Sequence, residues 1–144
     1  MTNPTEVSPW IPDEELVIVV AGRWAEPVAL RYGLYICQDE RSFRPARHMA
    51  FCAQGRICYL FEITEPPFNH CNPENTPLLA TIEGYEFDAP SHQVMHLNSM
   101  REIGPIRNDL VSRTGRGVAY TQGQRYTTLT RILTAHTTSE LVLP

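Results

Sequence analysis

Leu16–Gly22 (LVIVVAG) is a short run dominated by β-branched residues, and that pattern predicts a buried strand. The fifteen residues before it carry three prolines and the acidic triplet Asp13-Glu14-Glu15, so residues 1–15 are expected to form a flexible arm. Trp10, set between Pro9 and Pro12, would pin that arm to the body. Pro27–Tyr32 fits a helical turn, and Gly33–Gln38 (GLYICQ) a second strand. His48–Ala53 and Arg56–Thr64 are two strand-like runs joined by Gln54-Gly55, where the glycine supplies the positive φ of a primed hairpin turn. Both alternating sets of this hairpin are largely apolar, so both of its faces should be covered, as in a small barrel or under a helix.

Glu65–Pro77 (EPPFNHCNPENTP) reads as a long loop, a feature often tied to function in compact domains. Leu78–Phe87 returns to extended patterning, Val94–Leu97 is a short strand, Ile103–Ile106 a turn, and Val118–Thr121 a final strand. Leu129, Ile132 and Leu133 have helical spacing, which predicts a closing helix over Thr127–His136. Five to seven short strands with one or two helices make an α+β fold built on a small, strongly curved mixed sheet or β-barrel.

The 144 residues, 42% hydrophobic and 19% charged, suit one globular domain over residues 16–144. No stretch approaches the ~20 apolar residues that span a bilayer, and the first residues lack the basic start and apolar run of a secretory signal. The expected compartment is the cytoplasm. Cys37, Cys52, Cys58 and Cys71 form no C-x-x-C pair, and the first three sit in apolar strand-like runs, which predicts reduced core thiols. A zinc site drawn from His48, Cys52, Cys58, His70 and Cys71 matches no common ligand spacing, so no metal or cofactor is expected.

Charge changes this picture. All twelve basic side chains are arginine; there is no lysine. Arginine keeps its charge and pairs with carboxylate or phosphate through a planar fork, whereas lysine can lose its proton. Absence of lysine excludes a Walker A phosphate loop and a side-chain Schiff base. Codon bias would account for the missing lysine but not for the placement of the arginines. Arg41–Arg56 holds four arginines and no acid; Ile57–Met100 holds six acids and no base; Arg101–Arg131 holds six arginines against Glu102 and Asp109.

Two segments could carry chemistry. In residues 31–51, Arg31, Arg41, Arg44 and Arg47 alternate with Tyr32, Tyr35, Phe43 and Phe51, pairing phosphate contacts with stacking surfaces. In residues 115–128, glycines surround Arg116 and precede Gln124-Arg125-Tyr126, side chains able to reach phosphates or base edges. His70 and Glu74, in the proline-rich loop, are the candidates for acid–base work. His92 and His96 lie at i, i+4 but in a strand-like stretch, so on one strand face. No G-x-S-x-G elbow or H-E-x-x-H helix is present.

The order of elements, together with Gly22-Arg23-Trp24-Ala25-Glu26 and Arg31 further on, resembles the PUA-like superfamily, which includes ASCH and EVE domains. ASCH domains carry a Gly, a Lys, a Glu and an Arg just after the first strand; here Arg23 replaces the Lys and Arg31 follows at longer spacing. The resemblance implies a barrel whose cleft binds RNA or modified bases and is lined by Arg23, Trp24 and Glu26. Some ASCH domains hydrolyse modified nucleosides with the Lys, so its absence points to binding rather than hydrolysis. The leading expectation is therefore a module that binds nucleic acid or a nucleotide. Its site would draw on Arg23, Trp24, Glu26, Tyr35, Arg41, Phe43, Arg44, Arg47, Arg116, Gln124, Arg125 and Tyr126. The alternatives are a small enzyme acting on a nucleotide or phosphoester, with His70, Glu74 and Arg125 in one cleft, and a protein-interaction or inhibitor module whose arginines meet an acidic partner.

Overall fold

A computed structural model describes residues 10–83 and 88–144. The fold is mixed α+β, a sheet curled strongly into a half-barrel with two short helices. The strands are β1 (Asp13–Ala21), β2 (Leu34–Cys37), β3 (Ala46–Ala53), β4 (Arg56–Ile63), β5 (Phe68–Cys71), β6 (His92–Arg107) and β7 (Gln124–Thr128). The helices are α1 (Ala25–Tyr32) and α2 (Leu129–Thr134). The sheet runs β2-β6-β4-β3-β1-β7, with β5 also on β6. β1 and β3 are parallel; β3–β4, β4–β6, β2–β6, β5–β6 and β1–β7 are antiparallel.

Local chemistry explains the best-read elements. Val17–Val20 are wholly buried because both faces of β1 are covered. Leu16, Ile18 and Val20 join Phe51, Phe61, Ile63, Met95 and Leu97 in the inner core, while Val17 and Val19 join Ile57, Leu60, Ile106, Tyr120 and Ile132 on the outer face under α2. Phe51 meets Tyr35 and Phe61 edge to face at 5.9 and 5.6 Å, contacts worth about 0.5–1.5 kcal/mol each beyond area burial. Gln54 (φ 53°) and Gly55 (φ 77°) both take the left-handed conformation that a two-residue primed turn needs, so the hairpin forms as its sequence predicts. Trp10 packs on the inner core.

Several elements differ from the pattern. β1 begins at Asp13, inside the segment expected to be an arm, because Asp13 pairs with Ala46. Val94–Leu97 belongs to a sixteen-residue strand, and Ile103–Ile106 is not a turn but continues it. Gly104 and Pro105 are tolerated because they fall in a bulge: Ile57 pairs with Ile106 and Tyr59 with Glu102, so a register shift absorbs the extra residues. The last strand is β7 rather than Val118–Thr121, where Tyr120 is buried by tertiary packing. The closing helix is shorter than Thr127–His136: Thr127 and Thr128 stay in β7, and the Thr128 hydroxyl caps α2 by accepting from the Arg131 amide. Pro77–Thr81 is a 3-10 turn rather than extended chain, and residues 84–87 of that predicted strand lie outside the described residues. The long loop of residues 65–77 contains β5. Among the described residues no helix is long and apolar enough to cross a membrane.

Candidate functional site

The strand path runs from β2 at one end to β7 at the other, and among the described residues no ladder joins these two strands. One side chain does. Arg41, from the loop after β2, donates from Nη1 to the Tyr35 hydroxyl on β2 (2.6 Å) and from Nε to Gln124 Oε1 on β7 (2.7 Å). Its guanidinium lies 5.0 Å from the Phe43 ring centre and 5.7 Å from that of Tyr35, each cation–π contact worth about 0.5–2 kcal/mol. Nη2 is buried and makes no hydrogen bond. The polar partners are neutral, and among the described residues no carboxylate lies within ion-pair distance. A part-buried charge without a counter-charge is costly to keep, which makes Arg41 a candidate ligand contact.

The loop that presents Arg41 is tied down from three strands. Gln93 of β6, 2% exposed, donates to the Arg41 carbonyl and to Asn69 Oδ1 (both 2.9 Å), while its Oε1 accepts the Cys37 thiol. Asn69 Oδ1 also takes the Glu40 amide (2.7 Å), and Asp39 takes the His70 amide and the Ser91 hydroxyl. From β7, Gln124 donates to the Ser42 carbonyl, and the Tyr126 hydroxyl accepts the Arg44 amide. Glu40 (φ 62°) and His70 (φ 59°) both hold left-handed backbone where these ties meet. The guanidinium is thus preorganised rather than sampling many rotamers.

Arg41 and Tyr35 form one wall of a cleft of about 480 Å³. Arg23 and Trp24, which follow directly from β1, form another. Trp24 is 77% exposed, an unusual place for so large a ring, and the Arg23 guanidinium stacks 5.3 Å from it. The acids on the cleft are engaged with neighbours. Asp39 is held below the usual carboxylate range by the Ser91 hydroxyl first, with the His70 amide and ring adding to it. The His92 ring, 2.7 Å away, does the same for Asp88. Burial pushes the Cys37 thiol, also on the cleft, up to about 11, and Arg41 opposes that shift, so it is a neutral wall at neutral pH.

The sequence leaves open whether the two arginine blocks meet, and the structure brings together only part of each. Arg41, Phe43 and Arg44 come together with Gln124 and Tyr126, the Arg44 guanidinium lying 5.1 Å from the Tyr126 ring centre. Arg125 alternates to the opposite face of β7 and lies on Tyr120, donating to its carbonyl. Arg116 sits in an exposed hairpin closed by a Val111–Gly117 bridge. Arg47 points to Glu14, 3.8 Å away, near the start of β3. Glu26 is half-buried beside Arg56 and Cys52, off the cleft wall, and burial raises its pKa. His70 contacts Asp39 and Glu40 in the tethered loop, Glu74 is exposed in the turn after β5, and Arg125 faces elsewhere, so the trio expected of an enzyme is dispersed. His48, Cys52, Cys58, His70 and Cys71 are likewise spread over three strands, and no metal-holding group of three forms among the described residues. Sequence reasoning missed Gln93, Asn69, Asp39 and Ser91. Only the pairing of β2 and β5 with β6 places them behind Arg41. Compared with protein-family models, with curated proteins and with solved structures, the chain matches none.

Proposed function

We propose that the seam cleft binds a nucleotide unit, free or within a nucleic acid, with a phosphate on Arg41 and Arg23 and the base stacked on Trp24. The observation that carries this reading is Arg41: a guanidinium held by neutral partners, with no carboxylate within ion-pair distance among the described residues, on a cleft that also carries an exposed aromatic ring. Arginine forks suit phosphate oxygens, and an exposed tryptophan stacks on any base. A relation to PUA-like domains belongs to this proposal, since Arg23 and Trp24 of the matching motif lie on the cleft while Glu26 does not. So does a cytoplasmic setting, in which the four thiols remain free.

Calorimetric titration with nucleoside monophosphates and short oligonucleotides, at low and moderate salt, tests the reading. Trp24→Ala removes an exposed ring and leaves the fold intact; it should cost about 1–3 kcal/mol of binding. Arg41→Gln should abolish the phosphate-dependent part. Absence of binding to every nucleotide and oligonucleotide at low salt would sink the proposal.

A further inference from the structure

The strand register links a second basic pair to the β1 side of the cleft. Gln124 faces Val20, Ala21 faces Cys52, Ala53 faces Arg56, and Arg56 faces Arg107. One row, stepping one residue along β1 and again along β3, therefore crosses β7, β1, β3, β4 and β6 in turn. Four interstrand steps of about 4.8 Å make it roughly 20 Å long, more than one nucleotide covers. Arg23 and Trp24 continue β1 beyond this row, and the Gly22 amide is fixed to the Cys52 carbonyl at 2.9 Å.

At the far end Arg56 and Arg107 are exposed, directly opposed on antiparallel strands, and share a groove of about 570 Å³ with Pro105, His136 and Thr137. Like charges directly opposite each other destabilise a sheet. No acid lines the groove, and neither arginine has a carboxylate within ion-pair distance among the described residues. Glu26 is near enough for Arg56 to oppose the rise that burial causes in its pKa, but the two form no ion pair. The pair is thus an uncompensated positive site that an anion would relieve.

We infer that the ligand is a single-stranded nucleic acid lying along this row, with one nucleotide in the seam cleft and flanking phosphates on Arg56 and Arg107. The inference rests on the nucleotide reading of the cleft, and its test separates the two. The affinity of the wild-type protein, of Arg56→Ala/Arg107→Ala and of Arg47→Ala/Arg101→Ala would be measured for a mononucleotide and for an eight-residue oligonucleotide across a salt series. The second double variant removes two arginines outside the row, Arg47 near the start of β3 and Arg101 opposite Leu60 in mid-strand, and thermal melts would confirm that all three proteins are folded. The oligonucleotide should bind more tightly than the mononucleotide. Arg56→Ala/Arg107→Ala should weaken the oligonucleotide alone and lower its salt slope by about 0.7–1.4, one or two phosphate contacts of a single strand. The control variant should leave the slope unchanged. Mononucleotide binding with an oligonucleotide slope insensitive to Arg56 and Arg107, or lowered equally by the control, overturns the track and leaves the cleft. Failure of both ligands to bind overturns both.

Discussion

Arginine 41 shows how much one residue's environment outweighs its type. All twelve cations are arginines, yet among the described residues only Arg31 and Arg47 reach a carboxylate, both at 3.8 Å and both exposed enough for the pairs to contribute little. Arg41 instead spends its donors on neutral oxygens inside the seam. Glu26 is the opposite case, an acid whose burial outweighs the pull of Arg56 and raises its pKa. Folded protein then binds that proton more tightly than unfolded chain. The group's contribution to stability is most favourable below the ordinary carboxylate pKa, declines as pH rises through the raised folded value, and is flat above it. Urea denaturation of Glu26→Gln at pH 4 and pH 7 should find the variant gaining on the wild type at pH 7 and losing that gain at pH 4. A variant that loses ground at pH 7 relative to pH 4 would mean the ionised carboxylate is stabilising.

Among the elements, those with a local cause were legible and those with a tertiary cause were not. The β3–β4 hairpin follows from two apolar runs and a Gln-Gly turn with positive φ at both positions. The capping threonine of α2 is also visible in the sequence, although Thr127 pairing with Val17 moves the helix start two residues on. β6 could not be read through Gly104-Pro105, because a proline is admissible inside a strand only where the ladder bulges or ends, and that is a property of the sheet. Gly22 links element to site: a Cβ there would lie 2.7 Å from the Phe51 Cβ, so only glycine lets the chain leave β1 against β3 and present Arg23 and Trp24. Gly22→Ala should cost about 1–3 kcal/mol by overpacking, whereas Gly104→Ala, which meets open space, should stay within about 0.5 kcal/mol. Equal melting temperatures for the two variants would remove the close-approach argument.

In the molecule as a whole, the half-barrel is held at its open side by side chains where a closed barrel would use a ladder. Arg41 and Gln124, 83 residues apart, should therefore be coupled in stability as well as in binding. A double-mutant cycle with Arg41→Met and Gln124→Ala should give a coupling of about 0.5–3 kcal/mol in chemical denaturation, and additive effects would show that the seam is held elsewhere. By itself the sequence determined the buried first strand, the hairpin and its turn, and the α+β class with a curved sheet, because these rest on local periodicity and turn geometry. Only the tertiary structure decided which arginines act together. Two arginine-rich blocks became Arg41 and Arg44 with Gln124 and Tyr126, while Arg125, one residue away, faces the other side. The physical reason is that strand alternation and curl select one side chain of each neighbouring pair. The strand order that brings β2 and β7 to facing edges arises from pairings between residues far apart in the chain, which no local pattern records.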